Sequence, residues 1–186
     1  MIPSDIHLSK IERDMLNAMD RENILKNCLD EIKKDYDYIL IDCPPSLGML
    51  TINALSSANS VIVPVQTQVF AAKGLGNLLN TVVKIRKHIN PNLKIEGALL
   101  TLVDKRTNLN KSIKQIIKNE YGSFIKIFSN EIPLAIKTAE STGVGKSIFS
   151  YDKNSKVAEA YYSLAKEVLE NAKERIRSKS SKDHSR

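Results

Sequence analysis

Apolar residues recur every three to four positions across residues 6–18, at Leu8, Ile11, Met15, Leu16 and Ala18, and Ile24, Leu25, Cys28, Leu29 and Ile32 repeat the spacing. That period lines one face of a helix, so two helices punctuated at Asp20 are expected. The pattern then changes. Ile39, Leu40 and Ile41 form an unbroken apolar run that ends in Asp42 and is stopped by Pro44 and Pro45, which reads as a buried strand. A short helix over residues 50–57 leads to a second apolar strand at 60–65. A helix over 71–88, a strand over 95–102, a helix over 110–121 and a weaker strand at 125–128 follow, and after a loop through Gly143 and Gly145 a long helix over 156–175 closes the pattern. Strands alternating with helices at this pitch predict an α/β fold, a doubly wound, mostly parallel sheet flanked by helices. No internal repeat is visible.

Composition narrows the class. The chain has 186 residues, 42% of them hydrophobic, enough for one domain that needs no disulfide or metal staple. Cys28 and Cys43 belong to no CxxC or Cys/His cluster, which argues for a reducing, cytoplasmic setting and against a zinc module. Cys43, at a strand end, reads as a small buried residue rather than a nucleophile. The opening segment is charged from Asp5 onward and carries no apolar core of a signal peptide. No apolar run approaches the ~20 residues of a membrane span. His7, His88 and His184 are scattered, and no metal cage is evident.

Charge is uneven. Of the formal +7, the last fifteen residues supply +4 through Lys173, Arg175, Arg177, Lys179, Lys182 and Arg186 against Glu174 and Asp183. Residues 173–186 therefore read as a basic, disordered tail, either solubilising or polyanion-seeking. Lys111, Lys114 and Lys118 fall on one face of the 110–121 helix and Ile113, Ile116, Ile117 and Tyr121 on the other, a solvated stripe or a phosphate-contacting one.

Ligands in open parallel sheets bind outside the carboxyl ends of the strands. Four apolar residues followed by Asp42 fit the Walker B arrangement, in which the carboxylate holds magnesium beside a nucleotide's phosphates, directly or through water. A helix cap or turn former gives the same pattern. Thr142-Gly143-Val144-Gly145-Lys146-Ser147 superficially suggests a phosphate loop, but Glu140 stands where its first glycine belongs. Residues 134–142 are not strand-like, and residues 148–151 are not expected to begin a helix, so Lys146 is not taken as a phosphate ligand.

The stretch YDYILIDCPPSLGMLTINAL around Asp42 closely resembles the Walker B and switch II region of the ParA/Soj family of partition ATPases, deviant Walker A members of the P-loop group. SVIVPVQTQVF, GLGNLLNT, TLVDKRT and SYDKNSKVAEAYYSLAKEVL resemble its successive blocks, and IPSDIHLSKIE is similar to a segment that lies well inside family members. The likeness runs to about residue 172. It implies a P-loop NTPase-like domain over residues 1–172, N-terminally incomplete, since no KGGxxKT loop occurs in these residues.

The resemblance further implies ATP and Mg as cofactors in the intact family, with Asp42 on the magnesium side and Pro44, Pro45 and Gly48 in a loop sensing the γ-phosphate. Thr101, Asp104 and Pro133 are implied beside the nucleotide base. It implies a homodimer, non-specific DNA bound through residues such as Lys111, Lys114, Lys118, Arg175, Arg177 and Lys179, a centromere-binding ParB-like partner, and a nucleoid-associated cytoplasmic location without membrane. Chromosome or plasmid partition is the expected function, with no ATP hydrolysis expected of this chain alone. A non-enzymatic DNA- or partner-binding module, or an inert truncated form, is the alternative. A MinD-like membrane relative ranks last, because the tail has no bulky apolar anchors. The resemblance also puts the phosphate-loop strand between residues 38–42 and 60–65, so without it these segments are expected either to close up or to leave apolar edges exposed.

Overall fold

A computed structural model describes the backbone of residues 8–15, 17–44, 46–68 and 70–183, and the side chains of these except residues 8, 9 and 175–183. The elements run α1 (Leu8–Met15), α2 (Ile24–Ile32), a 3-10 turn (Lys33–Asp35), α3 (Met49–Ser57), β1 (Ser60–Gln66), α4 (Ala71–His88), β2 (Lys94–Thr101), α5 (Asn108–Tyr121), α6 (Ile136–Gly143), α7 (Ile148–Asp152) and α8 (Lys156–Asp183). Two compact units are distinguished, Met1–Val61 with Gly76–Ile95, and Ile62–Leu75 with Glu96–Arg186.

β1 and β2 pair in parallel, as the alternating pattern predicts: Lys94 N–H donates to Asn59 C=O (3.1 Å) at one end and Thr67 N–H to Thr101 C=O (3.4 Å) at the other. The opposite edge of β2 is occupied too. Ala98 bridges Ile127 and Val103 bridges Pro133, both in parallel, so residues 126–134 track the strand without forming a regular ladder. Gly97 makes that approach possible. Its φ of +152° disfavours a side chain, and a Cβ there would lie 2.6 Å from the Lys126 carbonyl oxygen.

The first unit packs Leu55, Val82, Ile85 and Leu93 into a core, with Ile52, Leu78 and Ile89 against it. Every third or fourth residue of α4 supplies that face, which is why its periodicity predicted the helix. In the second unit Leu99, Phe128, Ile132, Ile148, Val157 and Ala158 form the core, covered by Leu164 and Val168 of α8.

Four expectations need correction. Residues 38–42 form no regular element and join no strand pairing among the described residues, and Leu40 is 93% exposed. These residues do not pair with β1, because an apolar run records a preference for burial and not the presence of a neighbour. Cys43 is consequently exposed rather than buried. α6 and α7 occupy what read as loop, α7 starting at Ile148 because the Ser147 hydroxyl accepts from Ser150 N–H (3.2 Å). α8 continues to Asp183, across most of the stretch read as a disordered tail, since no Gly or Pro interrupts its helix-forming residues.

Two glycine substitutions should separate backbone strain from helix propensity in a thermal melt. Gly97→Ala is expected to destabilise by about 1–3 kcal/mol, because the left-handed backbone and the Lys126 carbonyl both oppose a methyl group. Gly74→Ala, inside α4 with open space around it, should stabilise by about 0.5–1 kcal/mol. Equal shifts for the two variants would show that the approach at Gly97 is not constraining.

Candidate functional site

The strands' carboxyl ends are built by short-range hydrogen bonds. β2 leaves the sheet through Leu102, whose φ of +52° is uncommon for a residue with a side chain and costs about 1–2 kcal/mol. What offsets the strain is a set of contacts around that turn. Thr67, just past β1 and 3% exposed, donates its hydroxyl to the Leu102 carbonyl (3.4 Å) and to Oδ1 of Asn110. The same oxygen accepts Asp104 N–H (3.1 Å). Val103 N–H donates to Ile132 C=O (3.1 Å) and Leu134 N–H to Val103 C=O (3.1 Å), which brings Pro133 alongside. Thr101, Asp104 and Pro133, separated by up to 32 residues in sequence, thus meet at one end of the second unit, all half-buried.

Asp104 is not a free acceptor. Arg106 grips it with its backbone N–H (3.0 Å), Nε (2.9 Å) and a guanidinium NH2 (2.8 Å). The Arg106 side chain first, and its backbone N–H second, hold the carboxyl down to about 2. Residues 126–134 are fastened from the other side by Glu167 of α8, which accepts from Ser129 N–H (3.2 Å) and Asn130 Nδ2 (2.8 Å) and pairs with Lys126 (3.1 Å). Burial pushes this carboxyl up, but the Asn130, Ser129 and Lys126 hydrogen bonds outweigh it and leave it below the usual glutamate range.

The remaining candidates lie in the first unit. Asp42 and Pro44 are exposed; Asp42 forms no ion pair or hydrogen bond among the described residues, and Pro45 falls outside them. Gly48 precedes α3, where a Cβ would collide with the Glu12 carboxylate. α3 is pinned at its middle and at its C-terminal end. Asn53, 2% exposed, gives Nδ2 to Arg21 C=O (2.7 Å) and accepts Leu25 N–H (3.1 Å), while Asn90 gives Nδ2 to the carbonyls of Leu55 (3.0 Å), Ser56 (3.1 Å) and Ala58 (2.8 Å). Among the described residues no group of three His, Cys, Asp or Glu could cage a metal. Magnesium needs no cage, because it keeps several waters and takes one or two carboxylates plus phosphates, and a free Asp42 fits that donor set.

The lysine stripe survives in part. Lys111 and Lys118 are exposed, whereas Lys114 is ion-paired with the largely buried Glu131 and its charge is spent. The side chains of Arg175, Arg177 and Lys179 lie outside those described. Lys146 is exposed in the turn before α7. A helix does begin there, contrary to expectation, but it is five residues long and α6 rather than a strand leads into the turn. Sequence reasoning missed Thr67, Asn53, Asn90 and Asn110, and a polar residue alternating with apolar ones was their only signal.

A parallel α/β layer with its polar residues gathered at the strands' carboxyl ends has the layout in which open α/β sheets hold ligands. A family model described as an AAA domain matches residues 1–95. The chain is 45% identical to the sporulation initiation inhibitor protein Soj of Bacillus subtilis, covering 92% of this chain and 67% of that protein, and 38% identical to the chromosome partitioning protein ParA of Myxococcus xanthus, covering 91% and 59%. A crystal structure of cobyrinic acid a,c-diamide synthase from Mycobacterium smegmatis superposes with a TM-score of 0.76 at 34% identity, over 90% of this chain and 60% of that one. The same protein has been solved with an ATP analogue and magnesium, at a TM-score of 0.67 and 38% identity over 72% of this chain and 54% of that one. The chain belongs to the ParA/Soj family of partition ATPases. It spans about two thirds or less of the length of these relatives. No described helix is long and apolar enough to cross a membrane.

The Glu167 fastening makes a pH prediction. A carboxyl held below its unfolded value of about 4.3 stabilises the fold above that pH, and the contribution is lost as pH falls through the folded value. Glu167→Gln should therefore melt below the parent at pH 7, with the gap narrowing below about pH 4. A gap independent of pH would mean that shape, not charge, does the fastening.

Proposed function

We propose that this chain serves chromosome or plasmid partition as a nucleotide-switched DNA-binding protein. The relationship to partition proteins across nine-tenths of the chain carries this reading. On this reading Asp42, which has no ion pair or hydrogen bond among the described residues, offers its carboxylate to magnesium, Pro44, Pro45 and Gly48 belong to the loop that senses the γ-phosphate, and Thr101, Asp104 and Pro133 flank the base. Magnesium would bridge the carboxylate to phosphate oxygens and neutralise their charge. Lys111 and Lys118, with Arg175, Arg177 and Lys179, hold DNA phosphates without reading bases, and Lys114 is withdrawn from that set by Glu131. Homodimer formation, a ParB-like partner and association with the nucleoid follow as further parts of the proposal.

A MgATP titration of the purified chain, with Asp42→Ala as control, tests the nucleotide half. Binding that weakens at least tenfold in the variant is expected if Asp42 holds the metal. No binding to either protein up to millimolar nucleotide would leave the chain as a DNA- or partner-binding module.

The DNA half is read from salt dependence. Each phosphate contact contributes about −0.9 to the slope of log affinity against log salt. Lys111→Ala with Lys118→Ala should flatten the slope by about 1.8, while Lys114→Ala should leave it unchanged. Equal losses from all three lysines would refute the withdrawal of Lys114.

A further inference from the structure

Asn110 occupies the third helical position of α5, behind the capping Thr107, where a side chain ordinarily reaches back to the cap's own N–H. Here it does something else. Oδ1 accepts the Thr67 hydroxyl and Asp104 N–H (3.1 Å), and Nδ2 donates to the Thr107 hydroxyl oxygen (2.9 Å). Thr107 in turn donates its hydroxyl to the Asp104 carbonyl (3.2 Å) and accepts Asn110 N–H (3.3 Å). One half-buried amide thereby joins the end of β1, the turn after β2 and the start of α5. The helix does not need these bonds, since Thr107 already caps it. The turn does, because Leu102 is left-handed and the Asp104 N–H has this acceptor alone among the described residues.

We propose that Asn110 is a positioning residue for a nucleotide's base: it fastens residues 102–104 in the strained turn that, with Pro133, forms the base-side wall. The proposal rests on the reading that Thr101, Asp104 and Pro133 flank the base. The ligand class is a nucleoside or its phosphates, held on the base side by a wall whose shape Asn110 sets without touching the ligand. Arg106 reinforces the arrangement from the solvent side by occupying the Asp104 carboxylate.

Adenosine is the probe, because it reports the base side with no phosphate contact. Asn110→Ala is expected to speed hydrogen exchange at the Asp104 amide and to weaken adenosine binding, each by about tenfold, the worth of one lost hydrogen bond. Asn110→Asp keeps both acceptor contacts and suits the positive end of α5, so it should restore both readouts. A role confined to the helix would lower the α5 melting signal and leave adenosine affinity unchanged. Unchanged exchange in Asn110→Ala overturns the fastening, and faster exchange with undiminished adenosine affinity overturns the positioning role. Absence of adenosine binding in the parent chain overturns the base-side reading and the proposal with it, and the exchange measurement tells that failure from failure of the fastening.

Discussion

β2 is engaged on both edges, and the second unit's site depends on it. A strand paired on one side only is free to slide or twist, whereas one held by β1 on one edge and by residues 126–134 on the other has its register fixed twice. Gly97 is the point where that double engagement is most demanding, since the Lys126 carbonyl passes where a side chain would stand. With the register set, Thr101 must end level with Thr67, and Val103 must meet Pro133. The gathering of polar groups at the carboxyl end is therefore a result of strand pairing, not of any local sequence motif.

Helix and strand ends leave backbone groups unsatisfied, and in this protein asparagine amides take up many of them. Asn90 covers three carbonyls at the end of α3, Asn53 ties the middle of α3 to Arg21 C=O and to Leu25 N–H at the start of α2, and Asn110 joins the strand ends to α5. An amide suits the task because it both donates and accepts without a charge that would need its own partner when buried. Lys114 and Glu131 show the costlier solution, a charge pair in which each group is usable only while the other stays in place.

Local pattern carried much of the fold. α4 ends where its periodicity ends, and β1 and β2 fall within a residue of the apolar runs that announced them. What failed was non-local or polar. Residues 38–42 look like a core strand in sequence, yet burial needs neighbours that an apolar run cannot specify, and Leu40 stands in solvent. α6 and α7 carry few apolar residues, so their signal lay in caps such as Ser147 rather than in period. The stripe of Lys111, Lys114 and Lys118 was a sound helical face, but Glu131 lies 17 residues beyond Lys114 and no helical wheel contains it. Asp42 was legible as a strand-end carboxylate and Asp104 was implied by the resemblance alone, while the fork of Arg106 on Asp104 was not legible.

That difference divides the two carboxylates chemically. A group that binds a cation must offer lone pairs at small cost, and Asp104 would first have to release a bidentate guanidinium and a backbone N–H. Its depressed titration, to about 2, measures how strongly its charge is already satisfied. Asp42 has no such partner among the described residues, so in the proposed role it would take a hydrated magnesium without breaking any contact. Asp104 is better suited to holding shape, since its backbone N–H goes to Asn110 and its carboxylate to Arg106, one on each side of the same turn. Of the two aspartates, Asp42 carries no ion pair or hydrogen bond among the described residues, whereas Asp104 is engaged through both its backbone N–H and its carboxylate.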